Sequence, residues 1–407
     1  MKKILVLIAI ITLIFTAYTQ ELSKKYDAGI AKMQQSDFTG AIADFSYIIK
    51  QSDYYFDAYL QRGICYEALK KHDMALADYN SAIAKNSNFY EAYYQRGAYY
   101  ARVVKDYKKA IEDLTTAIGL KSGYYNAYIL RAEVYESLSN DKEAIADYSS
   151  AIGINSNQWQ PYYGRALAYM RMKNNKEALA DWNMVIRIRN NMSEAYWNRG
   201  KVYEEMGLSE NAVKDYSQAI KHGAFTAEVL KARADLYYTT LQYCSALTDY
   251  NVLVDTFRMK KPEIYAKRGV CYSILGDSVT AQKEFTKALA LDKKNYSIYL
   301  YRAENYVKRS YYTSAIADYK RAIELNPKAW DIYFSRAKAY MEMKKYELAI
   351  EDLNVVIKRC NNHAQAYYLR GACKDALHDY DGACRDMQKA ASFHYQEAVN
   401  RVKKYCN

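Results

Sequence analysis

Two short patterns alternate along almost the whole chain. One runs Ala-apolar-x-acidic-bulky (mostly aromatic)-x-x-apolar-apolar, and begins at Ala41, Ala75, Ala110, Ala144, Ala178, Ala212, Ala246, Ala281, Ala315, Ala349 and Ala383. Its intervals are 34 residues eight times and 35 twice. The other, Tyr-x-x-Arg-(Gly/Ala)-x-x-Tyr, lies between these copies, as at Tyr59 to Tyr66, Tyr93 to Tyr100, Tyr162 to Tyr169, Tyr265 to Tyr272 and Tyr333 to Tyr340. Each places apolar or small residues at i, i+3, i+4 and i+7, the stripe of an amphipathic helix. One period therefore predicts one helical hairpin, with turns such as Leu69-Lys70-Lys71-His72-Asp73 and linkers such as Lys85-Asn86-Ser87-Asn88. The small residue after the arginine (Gly63, Gly97, Ala132, Ala166, Gly200) and the alanine that opens the other pattern are expected to meet where the two helices cross. The two extra residues fall between Gly97 and Ala110 and between Ala246 and Gly269, and are expected in loops, which tolerate insertion.

Small residue, Tyr, Ala, aromatic and Ala at these offsets resemble the tetratricopeptide repeat, and Asn326-Pro327 matches that family's closing Asn-Pro. The closing proline occurs only once, which implies less rigid linkers. The resemblance covers residues 22–397 as eleven units: 22–55, 56–89, 90–124, 125–158, 159–192, 193–226, 227–261, 262–295, 296–329, 330–363 and 364–397. Residues 398–407 are expected to cap the last unit. It implies an all-α, right-handed α-α superhelical solenoid of eleven helix hairpins, the first helix of each lining a concave face.

Each second helix carries an acid before its bulky residue: Asp44, Asp78, Asp113, Asp147, Asp181, Asp215, Asp249, Glu284, Asp318, Asp352 and Asp386. Each first helix but one carries Arg62, Arg96, Arg131, Arg165, Arg199, Arg233, Arg268, Arg302, Arg336 or Arg370; the first has Ala28 instead. An arginine serving its own repeat's acid would be needed in the first repeat as well. Its absence there predicts an inter-repeat ladder, Asp44–Arg62 through Asp352–Arg370, that fixes register between neighbours. Asp386 is then left for Lys404.

On the concave face the fifth positions of the first helices read Tyr26, Leu60, Tyr94, Ile129, Tyr163, Trp197, Lys231, Ala266, Leu300, Phe334 and Tyr368. Tyr26, Tyr94, Tyr163, Trp197, Lys231, Phe334 and Tyr368 are the candidate partner groove, suited to an extended peptide or a partner helix. Some relatives hold a chaperone's C-terminal carboxylate with Lys and Asn in the groove. The ninth positions here (Ile64, Ala98, Glu133, Leu167, Lys201) lack Asn, which disfavours that ligand.

Composition narrows the picture further. Lys2 and Lys3 precede an apolar stretch from Ile4 to Phe15 and then Ala17-Tyr18-Thr19-Gln20, the layout of a secretory signal with cleavage expected after Thr19. Twelve residues are too few for a stable membrane span, and no transmembrane segment is expected after residues 1–19 are removed. The expected location is periplasmic or extracellular, at the cell surface. The net charge of +12 falls to +10 once two lysines go (56 basic, 46 acidic). In an exported chain that excess points to a generally basic solvated surface or to acidic envelope polymers, anionic membrane surfaces or acidic proteins, and not to nucleic acid. No phosphate-binding glycine loop, Gly-x-Ser-x-Gly elbow or His-Glu-x-x-His helix occurs, so neither a catalytic residue nor a metal or other cofactor is expected. The histidines His72, His222, His363, His378 and His394 are expected at the surface. Cys65, Cys271 and Cys373 share one helical position and are read as small core residues. Cys384–Cys406 is the favoured disulfide, with Cys373–Cys384 the alternative. The sum is a non-enzymatic protein-interaction scaffold, resembling tetratricopeptide proteins of bacterial envelopes, or alternatively a binder of peptidoglycan or another acidic polymer.

Overall fold

The computed structural model describes residues 2–406, with side chains described for 18–402 and 406. Among the described residues there are 23 α-helices, one π-helical turn and no strand. They form two compact units, Met1–Leu208 and Ser209–Asn407. The first stacks five hairpins: Lys2–Gln34 with Phe38–Gln51, Phe56–Ala68 with His72–Lys85, Tyr90–Tyr99 with Tyr107–Leu120, Tyr125–Ser137 with Asp141–Ile154, and Gln160–Arg171 with Asn175–Ile188. Ser193–Glu205 completes that stack. The second opens with Ser209–Lys221 and stacks Ala227–Thr239 with Tyr243–Asp255, Pro262–Ile274 with Ser278–Leu291, Tyr296–Lys308 with Tyr312–Leu325, Trp330–Glu342 with Tyr346–Arg359, and Ala364–Ala376 with Tyr380–Ser392. Gln396–Tyr405 ends it.

Each hairpin turn is made by one residue in the left-handed region, for example Lys70 at φ 57°, Lys173 at 61° and Gly276 at 95°. That residue lets the chain fold back while the last carbonyls of the first helix stay bonded: Lys71 donates to the Tyr66 carbonyl at 2.8 Å and Lys70 to Glu67 at 2.9 Å. Aspartates at 37, 106, 277 and 379 then cap the second helix, Asp37 accepting the Gly40 N–H at 2.9 Å.

The core is repetitive. The alanines that open the second helices are buried, and so is the bulky residue after each acid, from Phe45 to Met387. At Gly63 an added Cβ would lie 2.7 Å from the Tyr79 ring and 3.3 Å from the Ala75 carbonyl, so only a small residue fits beneath the aromatic of its own hairpin. One insertion is not a loop. The extra residue between Gly97 and Ala110 is absorbed as a π-helical turn, Tyr100–Val104, which extends the first helix of the third hairpin. The other does lie in the linker after Asp255, where Arg258 adopts φ 54°.

The ion-pair ladder runs within hairpins and not between them. Arg165 donates from Nε and Nη2 to Asp181 at 2.8 Å each, a bidentate fork with the acid of its own repeat. The same fork joins Arg62 to Asp78, Arg96 to Asp113, Arg131 to Asp147, Arg233 to Asp249, Arg302 to Asp318, Arg336 to Asp352 and Arg370 to Asp386. The expected pairs Asp44–Arg62 through Asp352–Arg370 are therefore corrected. The first repeat lacks an arginine because Lys25 and Lys32, one turn either side of Ala28, bond Asp44 at 3.1 and 2.5 Å. Burial pulls the Asp44 carboxyl upward, but those two lysines outweigh it and hold it below the usual range. Asp386 is not left over either, since Arg370 and Lys374 hold it. The Lys404 side chain lies outside the described residues.

Neighbouring hairpins are tied by the guanidinium's remaining nitrogen. Nη1 of Arg165 reaches Ser149 at 2.8 Å, two residues beyond the acid of the preceding repeat. Arg62 reaches Ser46, Arg96 Asn80, Arg131 Thr115, Arg199 Asn183, Arg233 Ser217 and Arg370 Asn354 in the same way.

The eighth hairpin is the exception that explains the rule. Glu284 replaces the aspartate, and its extra methylene spoils the fork: Arg268 Nη1 lies 3.3 Å from Glu284 Oε2 without a hydrogen bond. Arg268 Nε, Glu284 Oε2 and the Oδ1 of Asn251, the residue placed to receive the third bond, are all buried without a hydrogen-bond partner. Glu284→Asp is expected to restore all three and stabilise this hairpin by about 1–2 kcal/mol, since an orphaned buried group costs that much. The Lys287 contact it weakens joins a solvent-exposed lysine to the buried acid, so its loss offsets part of that gain. Slower amide exchange across Pro262–Ile274 would be the readout; unchanged or faster exchange would contradict the assignment.

At the C-terminus a disulfide joins Cys384 to Cys406, 22 residues apart, and fastens Gln396–Tyr405 onto the last hairpin. Cys373 is free and buried with Cys65 and Cys271, and burial pushes these thiols up, to about 11 at Cys65 and Cys373 and about 12 at Cys271. At the other end, the side chains of residues 1–17, which carry the expected signal, lie outside those described. Among the described residues no helix is long and apolar enough to cross a membrane.

Candidate ligand pocket

The fifth-position side chains of the first helices are mostly half-buried, because each packs on the next linker or on a buried aromatic. Tyr26 meets Phe45 edge-on at 5.7 Å and Tyr55 at 5.8 Å, and burial together with Asp57 pushes its hydroxyl up. Tyr94 packs on Tyr124 at 5.1 Å, Phe334 on His363 at 4.8 Å and Tyr368 on Tyr395 at 5.2 Å. Lys231 is paired with Asp235 at 2.7 Å, and Lys201 lies over the Trp197 ring at 5.2 Å. Leu60 and Ala266 are buried outright. Much of the predicted groove is thus packing between adjacent hairpins. Two histidines depart from expectation as well. His363 caps a helix, accepting the Ala366 N–H at 3.1 Å, and Nδ1 of His72 is buried without a partner.

Three of the predicted positions do come together, all in the first unit. Tyr163, with Ile129, lines a pocket of about 480 Å³ between the fourth and fifth hairpins. Tyr94 and Ile129 line a second, adjoining space of about 210 Å³ that shares Glu133 and Gln160 with the first. The wall of the larger pocket is aromatic. Trp159, in the linker before Gln160–Arg171, meets Tyr163 edge-on at 5.8 Å, and Tyr163 meets the buried Trp182 edge-on at 5.1 Å. Arg189 lies over the Trp159 ring at 5.1 Å and helps to hold it in place. Leu167 and Met192 complete the apolar surface.

The polar groups of this pocket are carboxylates: Glu133, Glu136 and Glu194. Glu136 is fully engaged, accepting from the Tyr148 hydroxyl at 2.8 Å and from Arg171 at 2.7 Å, while Arg171 also bonds Asp141. Among the described residues Glu194 accepts from the neighbouring Ser193 hydroxyl alone, at 3.1 Å. Glu133 has no hydrogen bond or ion pair among the described residues. It reaches the pocket solvent, yet the protein crowded around it lifts its carboxyl above the usual range. Arg102 draws it down and Glu136 pushes it up. Arg102 lies on the π-helical turn and lines the smaller space, so the one-residue insertion delivers a cation to this end of the site. π-turns of this kind recur at functional sites.

Gly164 keeps the pocket open. A Cβ there would strike the Tyr148 ring and hydroxyl, displacing the group that bonds Glu136. Sequence reasoning found Tyr163, Tyr94 and Ile129. It passed over Trp159, Gln160 and Gly164, which lie off the fifth-position column, and noted Glu133 only as a missing Asn. Among the described residues no cluster of three or more His, Cys, Asp or Glu side chains is placed to hold a metal ion.

Comparison with known proteins bears on the repeats themselves. The tetratricopeptide repeat family matches residues 56–89, 125–158, 193–221, 262–295 and 331–363, and the related TPR repeat description matches 303–344. No curated protein matches the chain. Among solved structures, a tetratricopeptide repeat protein from Parabacteroides merdae is 24% identical, over 61% of this chain and 99% of its own, with a TM-score of 0.48. YrrB, described as a TPR protein with an unusual peptide-binding site, is 21% identical over 46% of this chain and 97% of its own, with a TM-score of 0.43. Yeast Tom70 is 11% identical over 95% of this chain and 96% of its own, with a TM-score of 0.40.

Proposed function

We propose, on the premise that this chain is an array of tetratricopeptide repeats, that it is a non-enzymatic protein-interaction scaffold whose first unit holds a peptide or partner helix in the aromatic pocket of the fourth and fifth hairpins. The carrying observation is the pocket itself. It is the place in the first unit where predicted groove residues open onto a concavity large enough for a side chain or two of a ligand. Trp and Tyr held rigid by their neighbours are the usual anchors of such interfaces, since little freedom is lost when a ligand packs on them.

Export to a bacterial envelope is part of the proposal. It rests on the lysine-led apolar segment at residues 2–15 and on the disulfide between Cys384 and Cys406, a bond favoured outside the cytosol. The alternative reading, a binder of peptidoglycan or another acidic polymer, rests on the net positive charge. The carboxylates of the pocket oppose it, because they repel an anionic chain.

The direct test is binding of a random-sequence 12-residue peptide library to the full chain and to its Tyr163→Ala variant. Selected peptides are expected to lose at least tenfold in affinity on the variant. Peptides that bind both equally, or a library that yields no binder, would overturn the reading.

A further inference from the structure

We infer that the pocket takes a basic side chain, the ammonium of a lysine or the guanidinium of an arginine on the bound peptide, with Glu133 as its counter-ion. This deepens the proposed function and rests on it. The pocket is acidic in a chain whose overall charge is positive. The sequence carries 58 basic and 46 acidic residues, yet the three charged groups lining the larger pocket are all carboxylates. One of them, Glu136, is already matched by Arg171 and the Tyr148 hydroxyl. Glu133 has no hydrogen bond or ion pair among the described residues; it opens onto the pocket solvent, and Arg102 draws on it only through space, from the adjoining smaller space. An exposed carboxylate at the rim of an aromatic pocket is free to pair with a cation that a ligand brings in.

The surroundings suit a cation with an apolar stem. Trp159 and Tyr163 offer aromatic surface, and Leu167 and Met192 can cover the methylenes of a long side chain. An acidic or C-terminal carboxylate ligand would meet Glu133 and Glu194, while the nearby arginines are placed elsewhere: Arg171 on Glu136 and Asp141, Arg189 over the Trp159 ring and Arg102 in the smaller space. A purely apolar anchor would bury Glu133 further without pairing it.

The experiment uses the full chain with the same 12-residue library, comparing the native protein with Glu133→Gln, Glu133→Lys and Tyr163→Ala. The expected result is enrichment of Lys or Arg at one register position, about tenfold weaker binding to Glu133→Gln and no measurable binding to Glu133→Lys. Raising salt should weaken the native complex and leave the residual Glu133→Gln complex less affected. Far-UV circular dichroism should be unchanged, because Glu133 is open to solvent and holds nothing. Peptides that depend on Tyr163 but carry no basic residue, or that bind Glu133→Gln as well as the native chain, would overturn this inference and leave the proposed function standing. Peptides indifferent to Tyr163 would overturn both.

Discussion

Replacing Arg165 by methionine is expected to destabilise the fifth hairpin by about 3–5 kcal/mol, the cost of stranding a buried charge. The pair is well shielded, with side-chain exposures of 19% for Arg165 and 5% for Asp181. Without the guanidinium, Asp181 loses both bonds of its fork and Ser149 loses its link to the next repeat. The double variant Arg165→Met, Asp181→Leu should recover most of the loss, because an apolar pair of similar volume does not need the lost bonds. A stack of hairpins opens locally, so the loss should be read residue by residue from native-state amide exchange. It should concentrate in Gln160–Arg171 and Asn175–Ile188. A double-mutant cycle combining Arg165→Met with Asp147→Asn should show weak coupling, whereas the cycle with Asp181→Asn should show strong coupling. The reverse order of coupling would restore the inter-repeat ladder and contradict the structure.

Trp182→Ala carries the second large effect. Trp182 is wholly buried in the core of the fifth hairpin, with its indole N–H 3.3 Å from the Met170 sulfur. Removing the ring should cost about 3–5 kcal/mol through lost apolar burial and the cavity left behind. The same ring supports Tyr163 edge-on from below, so the pocket should lose definition although Trp182 does not line it. Peptide affinity is expected to fall with stability in Trp182→Ala and to survive largely in Trp182→Phe, which keeps an aromatic edge for Tyr163. Equal affinity in Trp182→Ala and the native chain, measured well below the unfolding temperature, would show that the pocket does not depend on this support.

The fold was legible because its signal repeats. A stripe that recurs every 34 residues averages out local ambiguity, and close helix crossings admit only small residues. The ladder was legible in its members but not in its partners. An arginine can meet an acid 16 residues ahead in its own hairpin or 18 behind in the previous one, and spacing alone does not choose. The missing arginine in the first repeat pointed the wrong way because Lys25 and Lys32 stand in for it from one turn away, a substitution visible only once the helix is built. The polar residue two places after each acid, from Ser46 to Gln388, was in plain view and is the true inter-repeat contact wherever the third arginine nitrogen reaches it. The pocket was half legible. Tyr163 and Tyr94 lay on the predicted face, but Trp159 sits in a linker outside the helical pattern. Glu133 lies beside Glu136 on its own helix, but Arg102, the cation that acts on it, comes from the preceding hairpin. A further sequence mark of the site was the 35-residue interval from Ala75 to Ala110, whose extra residue became the π-helical turn that carries Arg102.

Amide exchange of the full chain, with and without a saturating selected peptide, reads directly where the ligand seats. A seat on the fourth and fifth hairpins slows exchange at Tyr125–Ser137 and Gln160–Arg171, with a weaker effect reaching Tyr100–Val104. Protection centred instead on hairpins of the second unit, or spread evenly over the array, would contradict it.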